Sequence, residues 1–305
     1  TLEPCCHTNK KTPPCLPALL EAKLARVVVG CPDPNPQVAG RGIQQLRDAG
    51  LEVDLSSLES ECQQLIAPYI AGTLHHRPYV TLKWARSADG KVAGAGGRRF
   101  QISNARSMRI VHELRGRCDA IMVGCHTVQW DDPLLTARDV ANPRSLLRVV
   151  VDSELQTPIE SQLVQTAKKW PVIIYCVWKG WDEGQTHQEL GVEIVTVGAG
   201  RNRRVDLREV LTDLAARGVT HLLVEPGPAL ARSFLNENLA DRVWVFDSPK
   251  AIGEPDSPHA PDVPYPVTAS HDVDGDILTE YLNPQSAAFF ANLPSPDFHL
   301  AMSPL

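Results

Sequence analysis

The chain has 305 residues, a formal net charge of −6, 43% hydrophobic residues and 22% charged ones. That composition sustains a packed core of about two domains at roughly 150 residues each and excludes wholesale disorder. The acidic balance, with no long basic run, argues against a general nucleic-acid or anionic-membrane binder, and no stretch approaches the roughly 18 apolar residues of a membrane span.

Read in chain order, the first feature is "TLEPCCHTNKKTPPC", which packs Cys5, Cys6, His7 and Cys15 into a short stretch. Eight cysteines over this length are too sparse for a disulfide scaffold, and clustered cysteines in a cytoplasmic enzyme more often bind metal or do chemistry. Cys31, Cys62, Cys118, Cys125 and Cys176 are scattered and read as small buried hydrophobes. "RVVVG" (26–30) has the β-branched run of a buried strand. "GIQQLRDAG" (42–50) has helical spacing and stops at a glycine suited to a C-cap. "LEVDL" (51–55) reads as a strand, and "SSLESECQQLIAPYI" (56–70) as a helix closing near Pro68. "AGTLHHRP" (71–78) carries no apolar period and reads as a linker.

The alternation then restarts. Strands are predicted at "YVTLKWA" (79–85), "DAIMVG" (119–124), "LLRVVVD" (146–152), "PVIIYCV" (171–177), "VEIVTV" (192–197), "HLLVE" (221–225) and "RVWVF" (242–246). The helix "NARSMRIVHELRG" (104–116) and another starting near Pro228 lie between them. Strands separated by helical segments predict a mostly parallel sheet with helices on its faces. Residues 248–266 are Pro-rich and aperiodic, as an extended surface segment would be, and the last twenty residues look weakly ordered.

Three stretches carry candidate chemistry. At the start, Cys5 with a second cysteine, the adjacent Cys6 or Cys15 ten residues on, could hold a zinc ion; a pair of idle thiols is the plainer alternative. The predicted helix 104–116 offers His112-Glu113, read as a solvated helix face. In the second half, polar residues cluster just after strand ends, where ligands sit in open α/β sheets. Lys83 lies near the end of one strand, Asp131 and Arg138 follow another that is expected to lie beside it in the sheet, and Glu225 ends a third. The Pro-Gly-Pro turn after Glu225 opens a helix whose first N–H groups could face a phosphate. A surface lysine beside Trp84 and a loop-capping Asp131 are the competing readings. A bare buried carboxylate is costly, so Glu225 is expected to face a ligand.

The opening stretch, together with "DPNPQVAGRG" (33–42), strongly resembles the zinc deaminase domain of the bifunctional riboflavin-biosynthesis deaminase/reductase family. The resemblance continues through K-x-A-x-S-x-D-G (83–90), Arg115, G-x-x-T-V-x-x-D-D-P-x-L-T-x-R (124–138), "VVVDS" (149–153) and V-E-x-G-P-x-L (224–230). It implies a truncated cytidine-deaminase-like α/β/α domain over 1–72, a linker at 73–78, and a dihydrofolate-reductase-like α/β domain over 79–285, with a weakly ordered tail at 286–305. It implies zinc at Cys5 and Cys15, and substrate contacts from His7 and Lys11 in the first domain. For the second it implies NADPH against Ala85, Thr127, Asp131, Ser153 and the run Gly227, Pro228, Ala229, Leu230, Ala231, Arg232 and Ser233. Substrate would meet Arg115, Leu135, Arg138 and Glu225, with Lys83 as the candidate catalytic cation beside the developing charge.

The family's third zinc ligand and its proton-shuttling Glu belong to an H-A-E motif that this sequence does not contain. The expectation is therefore that deamination of the diaminopyrimidinone ribosyl phosphate is lost in this fragment. Reduction of the ribosylaminouracil phosphate to its ribityl form is expected to remain. A small-molecule substrate, no nucleic acid, no membrane and room for a homo-oligomer complete the expectation. Two other classes stay open: a nucleobase deaminase acting on nucleic acid, and a structural zinc module joined to a non-catalytic α/β domain.

Overall fold

The computed structural model describes residues 2–8, 10, 12–141, 145–177, 184–200 and 203–289. The first part is a small α/β unit of helix α1 (Cys15–Glu21), strand β1 (Arg26–Val29), helix α2 (Arg41–Asp48) and strand β2 (Glu52–Leu55). β1 and β2 pair in parallel, and α2 lays Ile43 and Leu46 against Val29 and Val53. The loop before α2 is organised by a buried carboxylate. Glu3 accepts hydrogen bonds from the backbone N–H groups of Asp33 (3.1 Å), Gly40 (2.8 Å) and Ile43 (3.1 Å). The chain passes so close that a Cβ on Gly42 would lie 2.0 Å from the Pro4 carbonyl oxygen, so only glycine fits there.

Helix α3 (Glu59–Leu65) and helix α4 (Ala67–His75) follow. The expected linker at 73–78 is thus helical over its first half. Ile70 and Ala71 of α4 are buried with Tyr79 and Ala288, and that tertiary contact overrides the weak local pattern. Pro68, expected to close a helix, sits in the first turn of α4, where its missing N–H costs nothing.

From Tyr79 the chain builds a nine-stranded sheet. Its elements are β3 (Tyr79–Arg86), α5 (Ala105–Arg117), β4 (Ala120–Gly124), α6 (Cys125–Asp131), β5 (Leu147–Val151), α7 (Gln162–Gln165) and β6 (Val172–Val177). Then come α8 (Gln185–Glu189), β7 (Val192–Val197), α9 (Leu207–Ala216), β8 (His221–Val224), α10 (Pro228–Asn236), β9 (Arg242–Asp247), β10 (Val267–Val273) and β11 (Asp276–Leu282). The strand order is β10-β11-β9-β3-β8-β4-β5-β6-β7. Every pairing from β9 to β7 is parallel, while β11 runs antiparallel to β9 and β10 to β11.

Alternate side chains of the central strands enter two cores. Val80, Leu82, Trp84, Met122 and Val224 pack with Leu211 of α9 and Phe234 of α10 on one face. Ile121, Val123, Val150 and Ile174 pack with Ile110 and Leu114 of α5 on the other. Burial on both faces explains why these strands are unbroken apolar runs in the sequence.

Two expectations are corrected here. The strands carrying Lys83 and preceding Asp131 were expected to be neighbours, but β8 is inserted between β3 and β4. The hairpin β10–β11 was not foreseen, although its turn residues Asp274 (φ 50°) and Gly275 (φ 93°) form an Asp-Gly pair of the kind two-residue hairpins favour.

Candidate active site

A cleft of about 1860 Å³ opens at the C-terminal ends of the central parallel strands, and residues from β3, β4, α6, β5, β8 and α10 line it. In an open parallel sheet this is where loops and helix starts converge on a ligand.

Part of its lining is a charged triplet from three elements. Lys83 comes from β3, Glu225 follows β8, and Arg115 comes from the last turn of α5. Arg115 donates Nε–H to Glu225 Oε1 at 2.7 Å and Nη2–H to Oε2 at 2.8 Å, a two-point pair that also brings Nη1 to within 3.3 Å of the Thr136 carbonyl oxygen. Burial pushes the Glu225 carboxyl up, but the adjacent Arg115 charge and hydrogen bonds, helped by Lys83, hold it at about 2. Burial lowers the Lys83 ammonium from its ordinary range; Glu225 opposes that and Arg115 adds to it. The Lys83 Nζ also lies 5.5 Å from the centre of the Phe246 ring. Lys83 is therefore a half-buried lining group with a proton held less tightly than usual, and the surface-lysine alternative does not describe it.

The loop after α6 makes another wall. Asp132 (φ 39°), Leu135 (φ 52°) and Asp139 (φ 55°) all take left-handed backbone conformations, which cost a non-glycine residue about 1–3 kcal/mol each. Asp132 anchors the loop: its Oδ1 accepts the Gln162 N–H at 2.7 Å, and its carbonyl accepts from Gln162 Nε2 at 2.8 Å. The competing loop-capping reading of Asp131 thus describes its neighbour instead. Asp131 is half-buried in the cleft wall, where burial raises its carboxyl against the opposing charge of Arg99. Leu135 is buried and Arg138 reaches the cleft.

Across the cleft, helix α10 begins at Pro228 with Gly227 as its N-cap. Proline has no N–H, and the Ala231 N–H closes on the Gly227 carbonyl. Ala229 and Leu230 therefore supply the first-turn donors at the cleft. Ala231 itself turns into the core and does not line the cleft, unlike the rest of the run from Gly227 to Ser233. Ser153 Oγ accepts the Val205 N–H at 3.0 Å, which places Arg203, Arg204 and Arg208 on the same wall, with Arg232 also lining the cleft. Of these arginines only Arg232 was expected at the cleft; the adjacent Arg203-Arg204 pair was the signal in the sequence for the others. A glycine loop and an aromatic close one side. Gly97 (φ 83°) lies directly against Trp130, and no side chain fits between them, since a Cβ would come within 2.4 Å of the indole.

The profile of the RibD C-terminal domain matches residues 78–268. The riboflavin biosynthesis protein RibD of Actinobacillus pleuropneumoniae is 40% identical over 253 residues, 83% of this chain and 66% of that protein. This chain belongs to the RibD family. The RibD of Aquifex aeolicus is 37% identical over 83% of this chain and 69% of its own length, so the chain spans about two thirds of these curated relatives. Among solved structures, a Thermotoga maritima diaminohydroxyphosphoribosylaminopyrimidine deaminase/5-amino-6-(5-phosphoribosylamino)uracil reductase superposes with a TM-score of 0.77 at 31% identity, covering 92% of this chain and 78% of that one. The family membership carries the riboflavin-biosynthesis assignment and the reductase fold of the second part.

The RibD zinc expectation fares differently. Cys5 and Cys15 do come together, with their sulfurs 3.3 Å apart, and Lys10 hydrogen-bonds to Cys5. Among the described residues no group of three His, Cys, Asp or Glu side chains could hold a metal ion. Two thiols fall short of the three protein ligands of a catalytic zinc, so the zinc expected at this pair is not supported. His7 lies in this N-terminal unit, where its Nδ1 is buried with no hydrogen-bond partner among the described residues. Lys11, also expected to contact substrate, lies outside the described residues. Of the five cysteines read as buried, Cys31, Cys118 and Cys176 are; Cys62 and Cys125 are half-buried, and Cys125 lines the cleft. Burial, reinforced by Asp152, pushes the Cys125 thiol up to about 11, which leaves it a poor nucleophile.

Proposed function

We propose that this chain carries the NADPH-dependent reductase step of riboflavin biosynthesis, converting the ribosylamino group of 5-amino-6-(5-phosphoribosylamino)uracil to ribitylamino. The observation that carries this reading is the Lys83–Arg115–Glu225 triplet lining a cleft that also receives the α10 N-terminus. The lining fits a phosphate-rich dinucleotide: the first-turn N–H groups of Ala229 and Leu230 and the cluster Arg203, Arg204, Arg208 and Arg232 offer donors and positive charge. Ala85, Thr127, Asp131 and Ser153 line the same cleft and would flank that ligand. NADPH, when bound, supplies the hydride.

The remaining chemistry belongs to the chain's own side chains. The opened ribosylamino group presents a C1′=N bond; C1′ gains the hydride and the nitrogen gains a proton. Lys83 is the proton donor at hand, because burial weakens its hold on the proton. The Arg115–Glu225 pair keeps a second cation beside Lys83 without adding net charge to the cleft. Leu135 and Arg138 receive the rest of the substrate, the first by apolar contact and the second by hydrogen bonds to oxygen. Zinc-dependent deamination is not proposed for the described residues, since the Cys5–Cys15 pair gains no third ligand among them.

The test is direct. The purified chain should oxidise NADPH in strict dependence on the ribosylaminouracil phosphate and release its ribityl product. NADPH oxidation that ignores this substrate would refute the proposal.

A further inference from the structure

The helix α5 carries a histidine that the substrate-facing roles above do not use. His112 was read from sequence as part of a solvated face, but it is only 8% exposed. It lies one turn before Arg115 on the same side of the helix, as residues three apart do. Its Nδ1 accepts the backbone N–H of Arg138 at 3.2 Å, and its Nε2 lies 3.4 Å from Arg138 Nη2.

These two contacts decide the state of the ring. An acceptor at Nδ1 leaves the single proton of a neutral imidazole on Nε2. Nε2–H and the Arg138 guanidinium are then both donors and cannot bond each other. Burial lowers the His112 pKa, and the charges of Arg115 and Arg138 lower it further, while Glu225 and Asp139 oppose them. The ring is thus neutral near neutral pH, and it holds the Arg138 backbone without neutralising the Arg138 side chain.

The two arginines expected at the substrate therefore differ. Arg115 is committed to Glu225, whereas Arg138 has no carboxylate partner among the described residues. Arg138 sits in a loop with left-handed residues on both sides, Leu135 and Asp139. Such a loop needs external ties, and α5 supplies two: Arg115 to the Thr136 carbonyl and His112 to the Arg138 N–H. His112 does not line the cleft, so it acts through Arg138.

We propose that His112 is a positioning residue which, by accepting the Arg138 backbone N–H, holds the Arg138 guanidinium where it meets an oxygen of the substrate. This rests on the reading of Arg138 as a substrate-binding group. It is tested by steady-state kinetics on the full chain with His112→Ala, His112→Asn and Arg138→Met. His112→Ala should raise KM for the ribosylaminouracil phosphate about tenfold, below the hundredfold that a misplacement of about 1 Å can cost. KM for NADPH and kcat should change far less. His112→Asn, whose Oδ1 can accept the same N–H, should restore most of the loss. Should His112→Ala not fold, His112→Gln, with its acceptor displaced, takes its place against His112→Asn. A folded His112→Ala with wild-type substrate KM, or a His112→Asn no better than it, overturns the inference. Arg138→Met separates the two readings: if it leaves substrate KM unchanged, the assignment of Arg138 itself fails. If Arg138→Met is impaired and His112→Ala is not, only the role of His112 fails.

Discussion

Residues 2–75 and the sheet that follows are both built from parallel βα units, but they differ in what covers the strands. In the first part β1 and β2 form a two-stranded sheet that leaves Val28 58% exposed and Leu55 47% exposed. In the second, Ile121 to Val123 of β4 and Leu222 to Val224 of β8 are wholly buried between two layers of helices. The same contrast holds for charge. Arg26 meets Asp54 across β1 and β2 in solvent, where water screens the pair. Arg115 meets Glu225 with side chains 11% and 18% exposed, where the low dielectric makes each partner indispensable to the other. Depth therefore separates a pair that decorates a surface from one that shapes the wall of the cleft.

Glu225→Ala should have the largest effect, because it strands Arg115 and removes the counter-charge of Lys83. Loss of one partner of a buried pair costs about 3–5 kcal/mol, so chemical denaturation should show a large drop in stability along with lost reduction. The wild-type pair also carries a pH signature. With Glu225 held at about 2 against an ordinary 4.5, its contribution is full above about 4.5 and is lost as pH falls toward 2. A Glu225→Ala chain as stable as wild type at neutral pH would erase the contrast between the two pairs.

Lys83→Met comes next. It keeps the packed stem and removes the charge, so kcat should fall by about 10²–10³, as for loss of one preorganised donor, while the melting temperature holds. Wild-type kcat in this variant would move the reacting carbon away from Lys83.

Smaller is the effect of beginning the chain at Arg77. We propose that the reductase folds without the first part. Arg77 would be kept, with its two hydrogen bonds to Asp241 (2.6 and 2.9 Å), but the α4 contacts with Tyr79 and Ala288 would be lost. Reduction should persist, with melting lowered by a few degrees, the scale of about 1 kcal/mol in a domain of this size. Insoluble or inactive protein would show that the boundary lies before α4.

The smallest effects should come from within the first part. Asp54→Ala and Cys15→Ser should leave melting of the second part and its reduction rate at wild-type values. A change in kcat from either would join the two regions functionally.

Much of this was legible in the sequence. The strands from β1 to β9 were all placed, because continuous β-branched runs between helical segments have few other readings. Their order was not, since β8 enters between β3 and β4 from more than a hundred residues away. α4 was missed because its register is set by Tyr79 and Ala288 and not by its own periodicity. The residues that motif order assigned to the second domain, Lys83, Asp131, Arg138 and Glu225 among them, all line the cleft except Ala231. Motif order could not show that Ala231 faces the core, that Asp132 anchors the loop, or that the arginines from 203 to 208 share the cleft with Ser153.

What the sequence alone determined is the kind of protein: a parallel α/β chain whose motifs, in order, are those of a riboflavin-biosynthesis reductase. Those features are local, since a strand's apolar run or a proline at a helix start follows from the residues themselves. Only the tertiary structure decided which charges meet. Arg115 and Glu225 are 110 positions apart, and His112 was an ordinary helix residue until folding buried it against Arg138. Electrostatic strength depends on distance and on how much water is excluded, and both are set by packing between elements that the linear chain keeps far apart.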